Sequence, residues 1–189
     1  MTRRFRIMSI MLFAAVAIVA LSQTPGAQAH AQTYKGFQYT PTSASSGTWA
    51  ILQRDGANRQ VPRYLSSLGG GETGTGMIAS PPFRISGDKI VLTLCGHDGQ
   101  HGGQDKNVVA LVDTRTGQTL FKAAAPGNDA MQERSWDVSK LQGREVRIEV
   151  RDGDSGGAFA WLGVGRIDAG DALRVDFRNG MPQGWAAKA

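Results

Sequence analysis

The chain has 189 residues, 21 Lys+Arg against 16 Asp+Glu, a net charge of +5 and a sequence pI near 9.7. Its one cysteine, Cys95, excludes an intramolecular disulfide and any zinc site built on cysteine pairs. Three of the positive charges fall within the first six residues, so the basic balance does not mark a nucleic-acid-binding surface.

Arg3, Arg4 and Arg6 precede an uncharged apolar run over residues 7–21, followed by Pro25, Gly26 and the small-residue pattern Ala27-Gln28-Ala29-His30-Ala31. A positive start, an apolar centre and a small-residue end make up a secretory signal peptide. The run falls short of the roughly 20 residues that cross a bilayer as a helix, and no later stretch comes closer, so no membrane span is expected in the mature chain. Residues 1–31 are accordingly read as a leader, 32–170 as one module and 171–189 as a tail or final strand. The product is expected to be secreted or periplasmic. Without the leader 18 basic side chains face 16 acidic ones, and no nucleic-acid partner is indicated. Glycine then stands at about 15% of the chain, against an average of about 7%. Glycine weakens helices and supplies turns, which points to many short strands.

Residues 69–74, Gly-Gly-Gly-Glu-Thr-Gly, formally fit Gly-x-Gly-x-x-Gly. The dinucleotide fingerprint needs a helix opening on the last glycine, and Gly76 with Pro81-Pro82 denies it one. This segment reads as a connection into a strand at 77–80, with Pro81-Pro82 setting up an extended edge before Phe83. Residues 89–95 and 108–112 are apolar on both faces, as central covered strands are. Between them lies the most polar loop, 96–105, holding His97 and His101. Its glycines at 96, 99, 102 and 103 oppose the helix that a His-x-x-x-His zinc site would need. A loop of this composition instead offers hydrogen bonds to a polar ligand.

Residues 113–117 read as a hairpin turn, 118–124 and 131–138 as strands, and 125–129 as the connection between those strands. Trp136 is expected in the core. Residues 144–151 alternate strictly, Val146, Ile148 and Val150 on one face and Arg147, Glu149 and Arg151 on the other, giving a strand with one wet face. Gly153-Asp154-Ser155-Gly156-Gly157 matches the nucleophile segment of chymotrypsin-like proteases, and His97 and Asp113 precede it in the right order. Only 58 positions separate His97 from Ser155, too few for two barrels, so the segment reads as a Gly-rich turn. Asp152-Gly-Asp154-Ser-Gly156 also opens like a calcium loop, but its twelfth position is Gly163 rather than glutamate. A structural calcium at Asp152 and Asp154 would need ligands from elsewhere, and the preferred reading makes both aspartates turn formers. A strand is expected over 159–167, where Trp161 and Leu162 alternate and only one can face inward. The fold class expected from this run is all-β, an antiparallel β-sandwich of jelly-roll type.

The order and spacing of several short motifs resemble a galactose-binding-like jelly-roll module of secreted bacterial proteins, the kind appended to glycoside-hydrolase-type and large surface proteins. They are Gly71-Glu72 with Ser80-Pro81-Pro82-Phe83, Cys95-Gly96-His97-Asp98-Gly99, Lys106-Asn107, Leu111-Val112-Asp113 with Thr116-Gly117, Ala125-Pro126 with Asn128-Asp129, Ser135-Trp136-Asp137-Val138, Asp152-Gly153-Asp154, and Gly157-Ala158-Phe159-Ala160-Trp161-Leu162. The motifs run from Gly71 to Leu162, and the resemblance covers roughly residues 47–168. The resemblance implies the sandwich fold; one fold hosts many roles.

The functional expectation is a non-catalytic, exported recognition module that binds a polar ligand, a polysaccharide or other glycan, through loops at one end of the sandwich. His97, Asp98, His101, Asp152 and Asp154 are the candidate binding residues, no catalytic residue is assigned, and no cofactor is expected beyond the calcium considered above. The alternatives are a small secreted hydrolase, working through Ser155 or a carboxylate pair, and a structural component of the cell envelope.

Overall fold

The computed structural model describes residues 49–55 and 58–180, together with three short strands at 32–34, 37–39 and 186–188. The expected leader, 1–31, lies outside the described residues. Among them, no helix is long and apolar enough to cross a membrane. In chain order the strands are β1 (Gln32–Tyr34), β2 (Phe37–Tyr39), β3 (Ala50–Arg54), β4 (Gln60–Ser66), β5 (Gly76–Ala79), β6 (Phe83–Arg84) and β7 (Lys89–Asp98). They continue as β8 (Val108–Asp113), β9 (Thr119–Ala124), β10 (Asn128–Asp137), β11 (Glu145–Asp152), β12 (Ala160–Asp168), β13 (Arg174–Asp176) and β14 (Ala186–Lys188). β1 and β2 pair with each other.

The remaining strands form two antiparallel sheets. The first runs β10-β7-β12-β4-β3 with β13 beside β12, and the second runs β14-β5-β11-β8-β9 with β6 beside β11. The protein is therefore an all-β sandwich, as its alternating strands and frequent turns predict. Each main strand supplies a core face by period-two alternation. Ile90, Leu92 and Leu94 of β7 and Leu162, Val164 and Ile167 of β12 meet Val146, Ile148 and Val150 of β11 in the interior, all essentially without solvent contact. Trp49, Trp136 and Phe177 close the same core, and Trp136 stacks on Phe121 with ring centroids 5.8 Å apart. β8 is buried at all six positions. Residues 113–117 form the β8–β9 hairpin: the Asp113 carboxylate accepts the amides of Arg115 and Thr116.

Two local outcomes depart from simple alternation. On the outer face of β11, Glu149 is buried rather than wet, clamped between Arg147 at 2.6 Å and Arg151 at 2.8 Å on the same strand. Desolvation pushes its carboxyl up, and the two guanidinium hydrogen bonds outweigh that and hold it below its ordinary value. On β12, Trp161 and Leu162 are both buried, although they point to opposite faces. Leu162 belongs to the main core, whereas Trp161 joins Tyr64 and Cys95 in a second cluster on the outer face of the first sheet. Leu52, Val61 and Leu68 pack against that cluster, and the Tyr64 hydroxyl donates to the Arg54 carbonyl at 2.7 Å, so the β3–β4 arm covers the sheet from outside.

That second layer depends on a residue without a side chain. Gly163 pairs with Cys95 on β7 and Ser66 on β4, and a Cβ at this position would sit 2.5 Å from Cys95 Sγ and 2.8 Å from the Tyr64 ring. Gly163→Ala is therefore expected to destabilise the fold by about 1–3 kcal/mol, the usual penalty for overpacking. Urea unfolding checks this, and Cys95→Ala in the same background should recover part of the loss. An unchanged midpoint for the single variant would show that the outer layer is not packed this tightly.

Candidate functional site

The outer face of the first sheet carries a groove built along β7 and β12. Strand register sets its floor: His97 faces Trp161, Cys95 faces Gly163 and Thr93 faces Arg166. Both neighbours of β7 shift register at one level. β10 slips between Asn128 and Gln132, and β12 slips between Val164 and Arg166, each beside Leu94. Bulges of this kind re-aim side chains. Here they coincide with Asp129, Ala130 and Met131 on one wall and Gly165 on the floor. Gly165 keeps that floor low, since a Cβ there would meet Thr93 Oγ1 at 2.8 Å and Met131 Sδ at 3.4 Å.

Two hollows make up the groove and meet at Arg59 and Asp129, which line both. The larger, about 550 Å³, has Cys95, Met131 and Gly165 among its lining together with Arg63, Arg166 and Arg178. The smaller, about 480 Å³, is lined by His97, Glu72, Phe159 and Trp161. Among the described residues the exposed large apolar side chains are Met131 and Phe159, and each lines one of these hollows. Cys95 lies at the floor, and burial, reinforced by Asp129 and Asp55, pushes its thiol up to about 12. A thiol held so firmly protonated is a packing group and not a nucleophile.

The small hollow has a defined interior. His97 Nε2 lies 3.2 Å from Asp129 Oδ1, within hydrogen-bond distance, and the imidazole meets the Phe159 ring edge-on with centroids 5.0 Å apart. Phe159 is 45% exposed and has a φ of 57°, in the left-handed region that bulky side chains rarely enter. Its flanks hold it there. The Phe159 carbonyl accepts the Gly99 amide at 2.9 Å, and the next amide, of Ala160, donates to Glu72 Oε2 at 3.2 Å.

Beneath this end lies a buried polar network centred on Asn107. The Asn107 amide group donates to the His97 carbonyl at 2.9 Å and accepts the amides of Gly153 at 3.2 Å and Asp154 at 3.3 Å. Asp98 accepts three consecutive amides, Asp105, Lys106 and Asn107, at 2.6, 2.9 and 2.9 Å. Asp154 accepts the Gly156 amide at 3.1 Å and lies 3.6 Å from Lys106 Nζ. Asp152 Oδ1 accepts the Asp154 amide at 3.2 Å, and Ser67 hydrogen-bonds the same carboxylate, but Asp152 Oδ2 is buried without a partner.

The five candidate binding residues thus separate. His97 lines the groove. Asp98, at the end of β7, Asp152, at the end of β11, and Asp154 are buried in the network that ties the β7–β8 connection to the β11–β12 connection. His101 is exposed at the loop tip and lines neither hollow. Among the described residues no group of three or more His, Cys, Asp or Glu side chains is placed to hold a metal ion. Ser155 is exposed, and no hydrogen bond among the described residues joins it to a histidine. Glu72, Arg59, Asp129 and Phe159 are groove residues that the sequence did not single out. Glu72, Asp129 and Phe159 each fall within a motif that carries the resemblance, without being marked there as binding residues, and Arg59 falls within none.

No family model matches the chain. In sequence it is 34% identical over 98 residues to a protein of Aspergillus rugulosus named "Putative glycosyl hydrolase ecdE". The match takes in 52% of this chain and 13% of the fungal protein. In structure it overlaps the C-terminal extracellular domain of Mycobacterium tuberculosis EmbC with a TM-score of 0.35 at 18% identity, over 68% of this chain and 51% of that one. That overlap is too loose to carry a role across.

The Asp152 carboxyl is raised from an ordinary 3.8 to about 6, chiefly by burial, with the Asp154 charge adding to the rise and the Ser67 and Asp154 amide contacts opposing it. Between about pH 4 and 6 the folded protein therefore holds a proton that the unfolded chain has released, and stability falls as pH rises through this window. Asp152→Asn keeps an acceptor and has no charge to desolvate. Its unfolding free energy should gain on the wild type progressively from pH 4 to 6 and stay ahead at pH 7. A constant difference across that range would show that Asp152 does not titrate there.

Proposed function

We propose that this chain is an exported, non-catalytic glycan-recognition module and that the groove along β7 and β12 is its binding surface. One observation carries the reading: Phe159 presents its ring to solvent from a backbone conformation unfavourable to it, against His97 and beside two carboxylates. A strained, exposed aromatic ring at the mouth of a polar hollow is what the apolar face of a sugar ring requires. Glu72 and Asp129 accept sugar hydroxyl protons and Arg59 donates to sugar oxygens, giving the few placed polar groups that fix a ligand's orientation.

Other observations support it. The main strands alternate between sheets, in the orders β10-β7-β12-β4 and β5-β11-β8-β9, which is the wrapping of a jelly roll and agrees with the galactose-binding-like resemblance. The stretch shared with the Aspergillus rugulosus protein, whose name is that of a glycosyl hydrolase, agrees with a carbohydrate-related setting. Residues 1–31 supply the export signal.

Isothermal titration of the mature chain against a panel of soluble oligosaccharides tests the proposal. Saturable binding is expected without release of new reducing ends. Asp129→Ala should weaken it at least about tenfold, the worth of one hydrogen bond to a charged group. Release of reducing ends that is lost in Glu72→Gln would replace this reading with hydrolysis by the Glu72 and Asp129 carboxylates, and absence of binding to every sugar would end it.

Phe159→Gly separates stability from binding. Glycine accepts the positive φ at no steric cost, so the variant should unfold no more easily than the wild type and gain up to about 1 kcal/mol in urea. It should bind the same oligosaccharide at least about tenfold more weakly. A variant that is less stable and binds equally well would show that the ring serves the fold.

A further inference from the structure

We infer that the groove selects an acidic glycan, one whose carboxylate or sulfate is taken by the arginines of the larger hollow; this rests on the glycan-binding reading above and adds the class of ligand. Four arginines line that hollow, Arg59, Arg63, Arg166 and Arg178, against three carboxylates, Asp55, Asp129 and Asp176. Two of these carboxylates are already paired with arginine. Asp55 is buried and accepts the Arg59 Nε and main-chain amide at 2.8 and 2.9 Å. Asp176 is chelated by Arg178, whose Nε lies 2.8 Å from both carboxylate oxygens. Asp129 is at hydrogen-bond distance from His97.

Arg63 and Arg166 are what this pairing leaves over. Arg63 forms no ion pair or hydrogen bond among the described residues. Arg166 is exposed and acts on Asp176 only through space, behind the direct Arg178 contact. Arg63 and Arg166 therefore line, with Val61, Pro62 and Met131, a hollow in which Asp129, hydrogen-bonded only to His97, is the one carboxylate without an arginine partner, so two arginines stand against a single anion. An apolar floor lowers the local dielectric and strengthens attraction for an entering anion, and a guanidinium matches a carboxylate or sulfate with two parallel hydrogen bonds.

The other end of the groove has the opposite character. There Glu72 stands beside Phe159 and His97, a surface for hydroxyl groups and a ring face, with Asp129 at the junction of the two hollows. The groove is thus polarised along its length, suiting an oligosaccharide with an uncharged unit at the Phe159 end and an acidic unit at the Arg63 and Arg166 end. A general polyanion, nucleic acid included, needs an extended row of cations, and two uncommitted arginines over an apolar floor are not one.

The test titrates the mature chain with uronate oligosaccharides of glucuronate, galacturonate and mannuronate, each beside its carboxyl-reduced counterpart, with polyglutamate as a sugar-free polyanion. At least one uronate should bind about tenfold or more tightly than its reduced form, and the advantage should shrink with added salt. In the double variant R63Q/R166Q, checked for an unchanged melting temperature, that advantage should fall to within about twofold, since the two guanidinium contacts are its source. Equal binding of acidic and reduced sugars, or a preference that survives in R63Q/R166Q, overturns the acidic selectivity while leaving glycan recognition standing. Polyglutamate binding as tight as the uronates overturns it in favour of unspecific charge attraction. No binding to any sugar, acidic or reduced, removes both proposals.

Discussion

The pairing of β7 with β12 is the interaction on which the rest depends. These strands are central to the first sheet, contribute Leu92, Leu94, Leu162 and Val164 to the interior, and present His97, Cys95, Thr93 and Trp161 on the outside. Their close approach is permitted by glycine at two points. Gly96 has a φ of 105°, and a Cβ there would collide with the Trp161 carbonyl. Gly163 leaves the space that Tyr64 and Cys95 fill. Both strand faces can then be apolar, because one is covered by the second sheet and the other by the β3–β4 arm. The groove is the part of the outer face that the arm leaves uncovered.

A second dependence runs through the buried polar network at the end of the sandwich. The β7–β8 and β11–β12 connections, 99–107 and 153–159, have backbone donors that no strand pairing satisfies, and an unpaired buried amide costs about as much as a lost hydrogen bond. Asp98 and Asn107 meet that demand with side chains, which accept the amides of Asp105, Lys106, Asn107, Gly153 and Asp154. His97 and Phe159 inherit their positions from this network: Asn107 holds the His97 carbonyl, and Gly99 holds that of Phe159. Asp152, with one oxygen unpartnered, is the point where the network is incompletely satisfied.

Much of the architecture was legible in the sequence because period-two alternation reports burial directly. Val146, Ile148 and Val150 could only line a core, and the flanking glycines and aspartates could only be turns. The site was less legible for three physical reasons. Alternation distinguishes two faces but not whether the outer one is covered, so it could not foresee that Trp161 and Leu162 are both buried. Residue type does not distinguish a carboxylate that meets a ligand from one that accepts neighbouring amides, and Asp98, Asp152 and Asp154 do the latter. Finally, Asp129 acquires its place through a register shift in β10, and Arg59 through the turn it closes on Asp55; neither leaves a pattern in the chain. His97 was legible because the polar, glycine-rich composition of 96–105 marked the end of a covered strand as a place for polar contacts.

Phe159 shows how stability and function part company on this fold. A bulky residue at positive φ costs roughly 1–2 kcal/mol relative to glycine, and its exposed ring recovers little of that by burial. The preceding turn already contains Gly156 and Gly157, so a third glycine would fit the local sequence. The contact with His97, an edge-on aromatic pair worth at most about 1.5 kcal/mol, offsets the strain without explaining the exposure, since a ring placed only for stability would turn inward. Two flanking hydrogen bonds, from Gly99 and to Glu72, hold the backbone so that the ring cannot relax. Strain maintained by its surroundings at the lip of a hollow is the observation on which the proposed binding role of this surface rests.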